Sequence, residues 1–116
     1  MLKEKFPYPP MIENLPDIDT NLPGVRGKLF QGPTMQAVFF EVRETGSIPP
    51  HHHEAQWGVI LEGEADLTID VMTQRYQQGD SYYIPAGLVH STQVRSPMKA
   101  LEFFNEPARY RPKPFK

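Results

Sequence analysis

The sequence contains no cysteine. Disulfides and thiolate zinc sites are therefore excluded, and any bound metal must be held by nitrogen and oxygen ligands. A long apolar run is missing as well. Nothing approaches the roughly 20 residues needed to span a bilayer. The N-terminal MLKEKFPYPP is charged and proline-rich where a secretory signal would be continuously apolar. The expectation is a cytoplasmic protein with no membrane partner. Nor does either sign of charge dominate. The 12 basic and 14 acidic residues are scattered and leave a net charge of −2, with no basic block to follow a phosphate backbone. Nucleic acid is not an expected partner, and no segment carries a convincing helical pattern.

What is present is proline, short β-like runs and clustered histidine. At 116 residues the chain reads as one domain, able to bury roughly two-thirds of the surface its unfolded form exposes. Residues 1–24 hold Pro7, Pro9, Pro10, Pro16 and Pro23, which discourage a helix and predict an extended arm. Phe6, Tyr8, Ile12 and Leu15 give that arm enough apolar surface to pack on the body of the protein or on a second subunit. From Val25 onward, strand signals alternate with turn residues. Candidate strands are Val25–Gln31, Met35–Arg43, Gln56–Glu62, Ala65–Val71, Thr73–Gln77, Ser81–Ile84, Val89–Arg95 and Lys99–Phe104. Glu44-Thr45-Gly46 and Glu62-Gly63-Glu64 read as turns, and Ile48-Pro49-Pro50 as an extended lead-in to the histidines. About eight or nine short strands with hairpin links predict a closed barrel or a double-sheet jelly roll over residues 25–104. The tail, 105–116, is expected to cover an outer surface.

Three of the four histidines lie in GSIPPHHHEAQWGVILEG, residues 46–63. Alternation along a strand would put His51 and His53 on one side, free to share an ion, with His52 pointing away. Gln56 could add an amide oxygen, which on strict alternation requires a bulge between His53 and Gln56. Trp57 then faces outward, toward an interface or the arm.

These residues resemble the cupin superfamily, whose motifs run G-x5-H-x-H-x3 or x4-E-x6-G and G-x5-P-x-G-x2-H-x3-N. Gly79, Pro85, Gly87 and His90 fall at the spacing of the second motif, with Val94 in place of asparagine. The first motif is looser. Gly46 to His51 is one residue short, the interval from His53 to the next ligand is reduced, and Gln56 stands where glutamate is usual. The resemblance implies an all-β cupin-type double-stranded β-helix, a jelly-roll barrel that is often dimeric. It implies a divalent ion (zinc, nickel, manganese or iron) held by His51, His53, Gln56 and His90, with His52 replacing one of them if the loop threads differently. Three imidazoles and a neutral amide would leave a divalent ion its full +2 charge, favouring an anionic ligand and Lewis-acid chemistry.

The C-terminal Leu101-Glu102-Phe103-Phe104, followed by Arg109, looks like the end of the small cupins of pectin and alginate breakdown that open 4,5-unsaturated uronates. That likeness implies Glu102 as a general acid/base and Arg109 as a carboxylate grip. The expected function is therefore a homodimeric, metal-dependent isomerase or lyase acting on a small anionic, sugar-acid-like molecule. An iron-dependent dioxygenase and a non-catalytic metabolite sensor are the alternatives.

Overall fold

A computed structural model describes residues 6–43 and 46–114; the turn expected at Glu44 and Thr45 lies outside the described residues. Seven strands follow one helical turn: α1 (Pro10–Glu13), β1 (Val25–Gln31), β2 (Gln36–Val42), β3 (Ser47–His51), β4 (Gln56–Ile69), β5 (Met72–Gln77), β6 (Ser81–Ile84) and β7 (His90–Phe104). They form one antiparallel sheet in the order β1-β2-β7-β4-β5, with β3 added to β7 and β6 to β4. No described helix is long and apolar enough to cross a membrane.

Two long strands organise the barrel, and both correct the sequence reading. Glu62-Gly63-Glu64 is not a hairpin turn: β4 runs through it and pairs with β7 from Gln56↔Phe104 to Ile69↔His90. The register shifts between Ile60 and Ala65, and Gly63 has φ +88°. The glycine thus bends the strand rather than reversing it. Its effect is visible in burial, since Ile60 faces the core at an even position while Ala65 and Leu67 do so at odd ones. Likewise, Val89–Arg95 and Lys99–Phe104 are one strand. Along β7 the even-numbered His90, Val94, Met98, Ala100, Glu102 and Phe104 are all buried. One half of β7 pairs with β3 and the other with β2, which closes the two halves of the jelly roll around one core.

That core holds Val38, Phe40, Val42, Ile60, Leu67, Ile84 and Phe104. A fully buried side chain of this kind contributes about 1.5–3 kcal/mol. Between β4 and β5 the reversal is made by Asp70 and Val71, with Asp70 at φ +57°, a conformation aspartate tolerates better than most residues.

The arm is not wholly extended. Pro10 opens the single turn of α1, where its missing N–H has no helical partner to lose. Beyond it Ile18 is buried in the core, and Asp17 pairs with Lys28 at 2.9 Å. Tyr8 donates to the Phe40 carbonyl at 2.9 Å and meets Phe39 edge-on, which accounts for an aromatic residue on the outer face of β2. The tail does more than cover the outside. Buried Gln36 exchanges two hydrogen bonds with the backbone of Tyr110, at 2.8 and 2.9 Å. This fixes the Tyr110 ring against Phe40 and Phe104, at one end of the core.

Candidate metal centre

Strand pairing brings the histidines together. His51, the last residue of β3, lies directly opposite His90, the first of β7. His53 joins them from the loop beyond β3, so its position comes from loop closure and not from strand alternation. The expected bulge between His53 and Gln56 is likewise a loop. Its path is held by Gly87, whose N–H donates to the His53 carbonyl at 2.9 Å, and by Asn105 N–H on the Ala55 carbonyl at 2.9 Å. Gly87 has φ +83°, so the glycine of the second motif physically supports a histidine of the first. One potential ligand atom from each of His51, His53 and His90 lies within 4.8 Å of the others. His52 is exposed and outside this group.

The tautomers follow from the backbone. Nδ1 of His51 is 2.9 Å from the Pro49 carbonyl, Nδ1 of His53 is 2.7 Å from that of Glu54, and Nδ1 of His90 is 2.9 Å from that of Leu88. A carbonyl only accepts, so each Nδ1 donates and each neutral ring carries its lone pair on Nε2. The Nε2 atoms of His53 and His90 face each other at 3.2 Å. Two opposed lone pairs repel unless a cation stands between them. Two imidazole nitrogens each ~2.1 Å from one ion lie roughly 3 Å apart at tetrahedral or octahedral angles. The donor set therefore fits a divalent ion. Burial pushes His51 and His53 down to about 4, and His90 down as well, with the positive charge of Arg109 adding to the effect on all three. The rings are thus neutral and ready to coordinate at physiological pH.

Beneath the histidines lies a carboxyl site. Glu102 is 6% exposed, on the inner face of β7 and not on an outward face. Gln56 Nε2 donates to its Oε1 at 2.5 Å, and the Tyr82 hydroxyl donates to its Oε2. Burial raises Glu102 to about 7 despite the opposing pull of those two hydrogen bonds, and burial and the Glu102 charge raise Tyr82 well above its ordinary value. Gln56 Oε1 is buried without a hydrogen-bond partner among the described residues. His51, Gln56, Tyr82, His90 and Glu102 all line one cavity of about 30 Å³. An orphaned carbonyl oxygen on a residue that lines the same cavity as His51 and His90 adds to the fit, because leaving it unsatisfied costs about 1–3 kcal/mol.

Arg109 lies at the same end of the barrel, stacked 4.5 Å over the Tyr110 ring, and its buried Nε has no partner among the described residues. It borders a surface hollow of about 440 Å³ with Asn21 and Leu22. Four further arginines have different surroundings. Arg26 pairs with Glu13 and Glu41, and Arg75 and Arg95 both pair with Asp66. Arg43 lines a larger hollow at another face, with Glu62 and Met98.

Tyr82 and Gly58 are site residues that the sequence reading did not single out. Both were legible by parity: Tyr82 shares its face with Ile84, and Gly58 shares its face with Gln56. A Cβ on Gly58 would sit 2.6 Å from the Tyr82 hydroxyl oxygen and closer still to Glu102. Its bareness makes the room in which the two acidic groups meet.

The cupin domain family model (Cupin_2) matches residues 38–104. Among solved structures, KdgF from Halomonas sp. is 24% identical with a TM-score of 0.71, covering 80% of this chain and 87% of that one. An RmlC-like cupin from Shewanella frigidimarina is 21% identical with a TM-score of 0.75, covering 92% and 94%. Oxalate decarboxylase of Bacillus subtilis is 22% identical with a TM-score of 0.71, the match spanning 84% of this chain but 29% of the enzyme. No curated protein matches in sequence. At these identities the likeness of the solved structures concerns the fold.

Proposed function

Because the chain belongs to the cupin family, we propose that it is a metal-dependent enzyme that moves a proton on a small, oxygen-rich anion of the sugar-acid class. The observation that carries this reading is the placement of Glu102, a buried carboxyl near 7 in the same cavity as His51 and His90. A general acid/base works best when its pKa lies near the operating pH, because both protonation states are then accessible. Tyr82 and Gln56 each donate to one carboxyl oxygen, so the group is held in a single orientation toward the cavity. A divalent ion held by His51, His53, His90 and Gln56 would polarise a substrate carbonyl or hydroxyl and so acidify the neighbouring C–H or O–H.

The cavity admits about one water-sized group, so the reacting atom enters it while the rest of the substrate stays at the mouth. Arg109 stacks on Tyr110, a residue of the cavity wall, and we assign its planar fork to take the substrate carboxylate bidentately. Phe40, Phe104 and Tyr110 wall the cavity and exclude water from the carboxyl. The likeness of the C-terminal strand to uronate-opening cupins supports 4,5-unsaturated uronates as the first substrates to assay. Glu102→Gln should keep the metal and lower kcat by about 10²- to 10⁴-fold, the usual worth of a positioned proton-transfer group. Full turnover in that variant removes Glu102 from the reaction. Activity with iron(II) alone, accompanied by oxygen uptake, would establish the dioxygenase instead, and tight uronate binding without turnover would establish the sensor.

The same reading includes a homodimer. Tyr83, Trp57, Phe103, Ala37 and Phe30 lie at one register across β6, β4, β7, β2 and β1. Tyr83 is 60%, Trp57 42%, Phe103 37% and Phe30 59% exposed, an aromatic row across the outer face that a second copy would cover.

A further inference from the structure

We infer that Glu102 is a positioning residue for Gln56: it orients the glutamine amide so that the oxygen, and not the nitrogen, is presented to the histidine cluster. The inference rests on the metal-site reading above and concerns what makes Gln56 a competent ligand. A primary amide has nearly the same shape at both ends, so only its partners decide which end faces where. Two features of the cavity make that decision. Glu102 Oε1 accepts from Gln56 Nε2 at 2.5 Å, while Oε2 accepts from the Tyr82 hydroxyl. Turning the amide over would set its oxygen against the Glu102 carboxyl oxygen and present to the cavity an N–H₂ group, which has no lone pair to give an ion.

The remaining Gln56 oxygen then has no donor among the described residues, although the residue is 8% exposed. A buried carbonyl oxygen without a partner is unusual, and it lies in the cavity that His51 and His90 also line. The arrangement extends one shell further. Gly58 stands across from Glu102 in the register of β4 and β7, and its missing side chain leaves the space that the carboxyl and the Tyr82 hydroxyl occupy. Tyr82, Glu102 and Gln56 thus form a chain of hydrogen bonds that ends in the cavity lined by His51 and His90. Outer partners of this kind fix ligand orientation, and their loss typically weakens metal binding about 10- to 100-fold.

The test is a titration of metal-free protein with cobalt(II), read by chelator competition and by the visible absorption of the bound ion. Glu102→Met, close to glutamate in length but with only a weakly accepting thioether, should weaken cobalt binding by roughly 10- to 100-fold and alter the absorption band. Glu102→Gln should restore both, because its carbonyl oxygen still accepts from Gln56 while its N–H₂ donates to Tyr82. In a Gln56→Ala background, where the ligand is already lost, Glu102→Met should change affinity no further. If Glu102→Met does not fold by circular dichroism, Glu102→Ala takes its place in the same cycle. Unchanged affinity and spectrum in the Glu102 variants, or effects that simply add to that of Gln56→Ala, would overturn the positioning role. Absence of cobalt binding by the unaltered protein would instead refute the metal site itself.

Discussion

At the scale of single residues, the site is governed by which end of each polar group is left over. His51, His53 and His90 each give Nδ1–H to a backbone carbonyl, so Nε2 is what remains for an ion. Protons compete for that same lone pair. An ordinary histidine begins to lose a metal below about pH 6.5. Here His51 and His53 are depressed to about 4, so protonation, and with it loss of affinity, is deferred to more acidic solution. Zinc affinity should therefore stay nearly constant from pH 7 to about 5 and fall steeply as the pH passes 4. Calorimetric titration across that range checks it, and a decline beginning at pH 6.5 would contradict it. The residue types were legible in the sequence, since three histidines and a glutamine near a β-run and a fourth histidine in a second motif already define a donor set. Their tautomers were not, because Pro49, Glu54 and Leu88 enter only through carbonyls placed by the folded backbone.

At the scale of elements, the informative case is β4. Its sequence carries a glycine flanked by glutamates between two apolar runs, a pattern that reads locally as a hairpin. The structure keeps the strand going because β7 supplies pairing along both halves, and the register shifts around Gly63, at φ +88°, move the inward face from even to odd positions. Only a partner strand remote in sequence decides between a turn and a bend here. Gly63→Ala should be destabilising by about 1–3 kcal/mol, from the positive φ and from a Cβ placed 2.9 Å from Met98 Cα. Urea unfolding measures this, and a stability within 0.5 kcal/mol of wild type would show that the bend relaxes, as surface substitutions commonly do at about that level. By contrast, β1 and β6 follow the sequence reading residue for residue. Each has clear turn residues on both sides and a single partner or short pairing, so local signals suffice.

At the scale of the whole molecule, the outer face carries the remaining prediction. The protein should be a dimer by multi-angle light scattering, and Trp57→Ser with Phe103→Ser should yield a monomer, each truncation removing an exposed apolar group from the row. A monomeric wild-type protein at tens of micromolar would reject it. The row itself arises because Trp57, Phe103 and Tyr83 are opposite partners on adjacent strands, each one position away from a buried residue. By itself the sequence determined that this is a β-protein without disulfides, with two separated histidine motifs, because strand periodicity, turn residues and ligand types are local properties of the chain. Only the tertiary structure decided that β4 and β7 are continuous, that His53 reaches the cluster by a loop, and that Glu102 lies inside against Gln56 and Tyr82. Those outcomes depend on pairings between residues as far apart as Gln56 and Phe104, and on burial that no side chain acquires until the barrel closes around it.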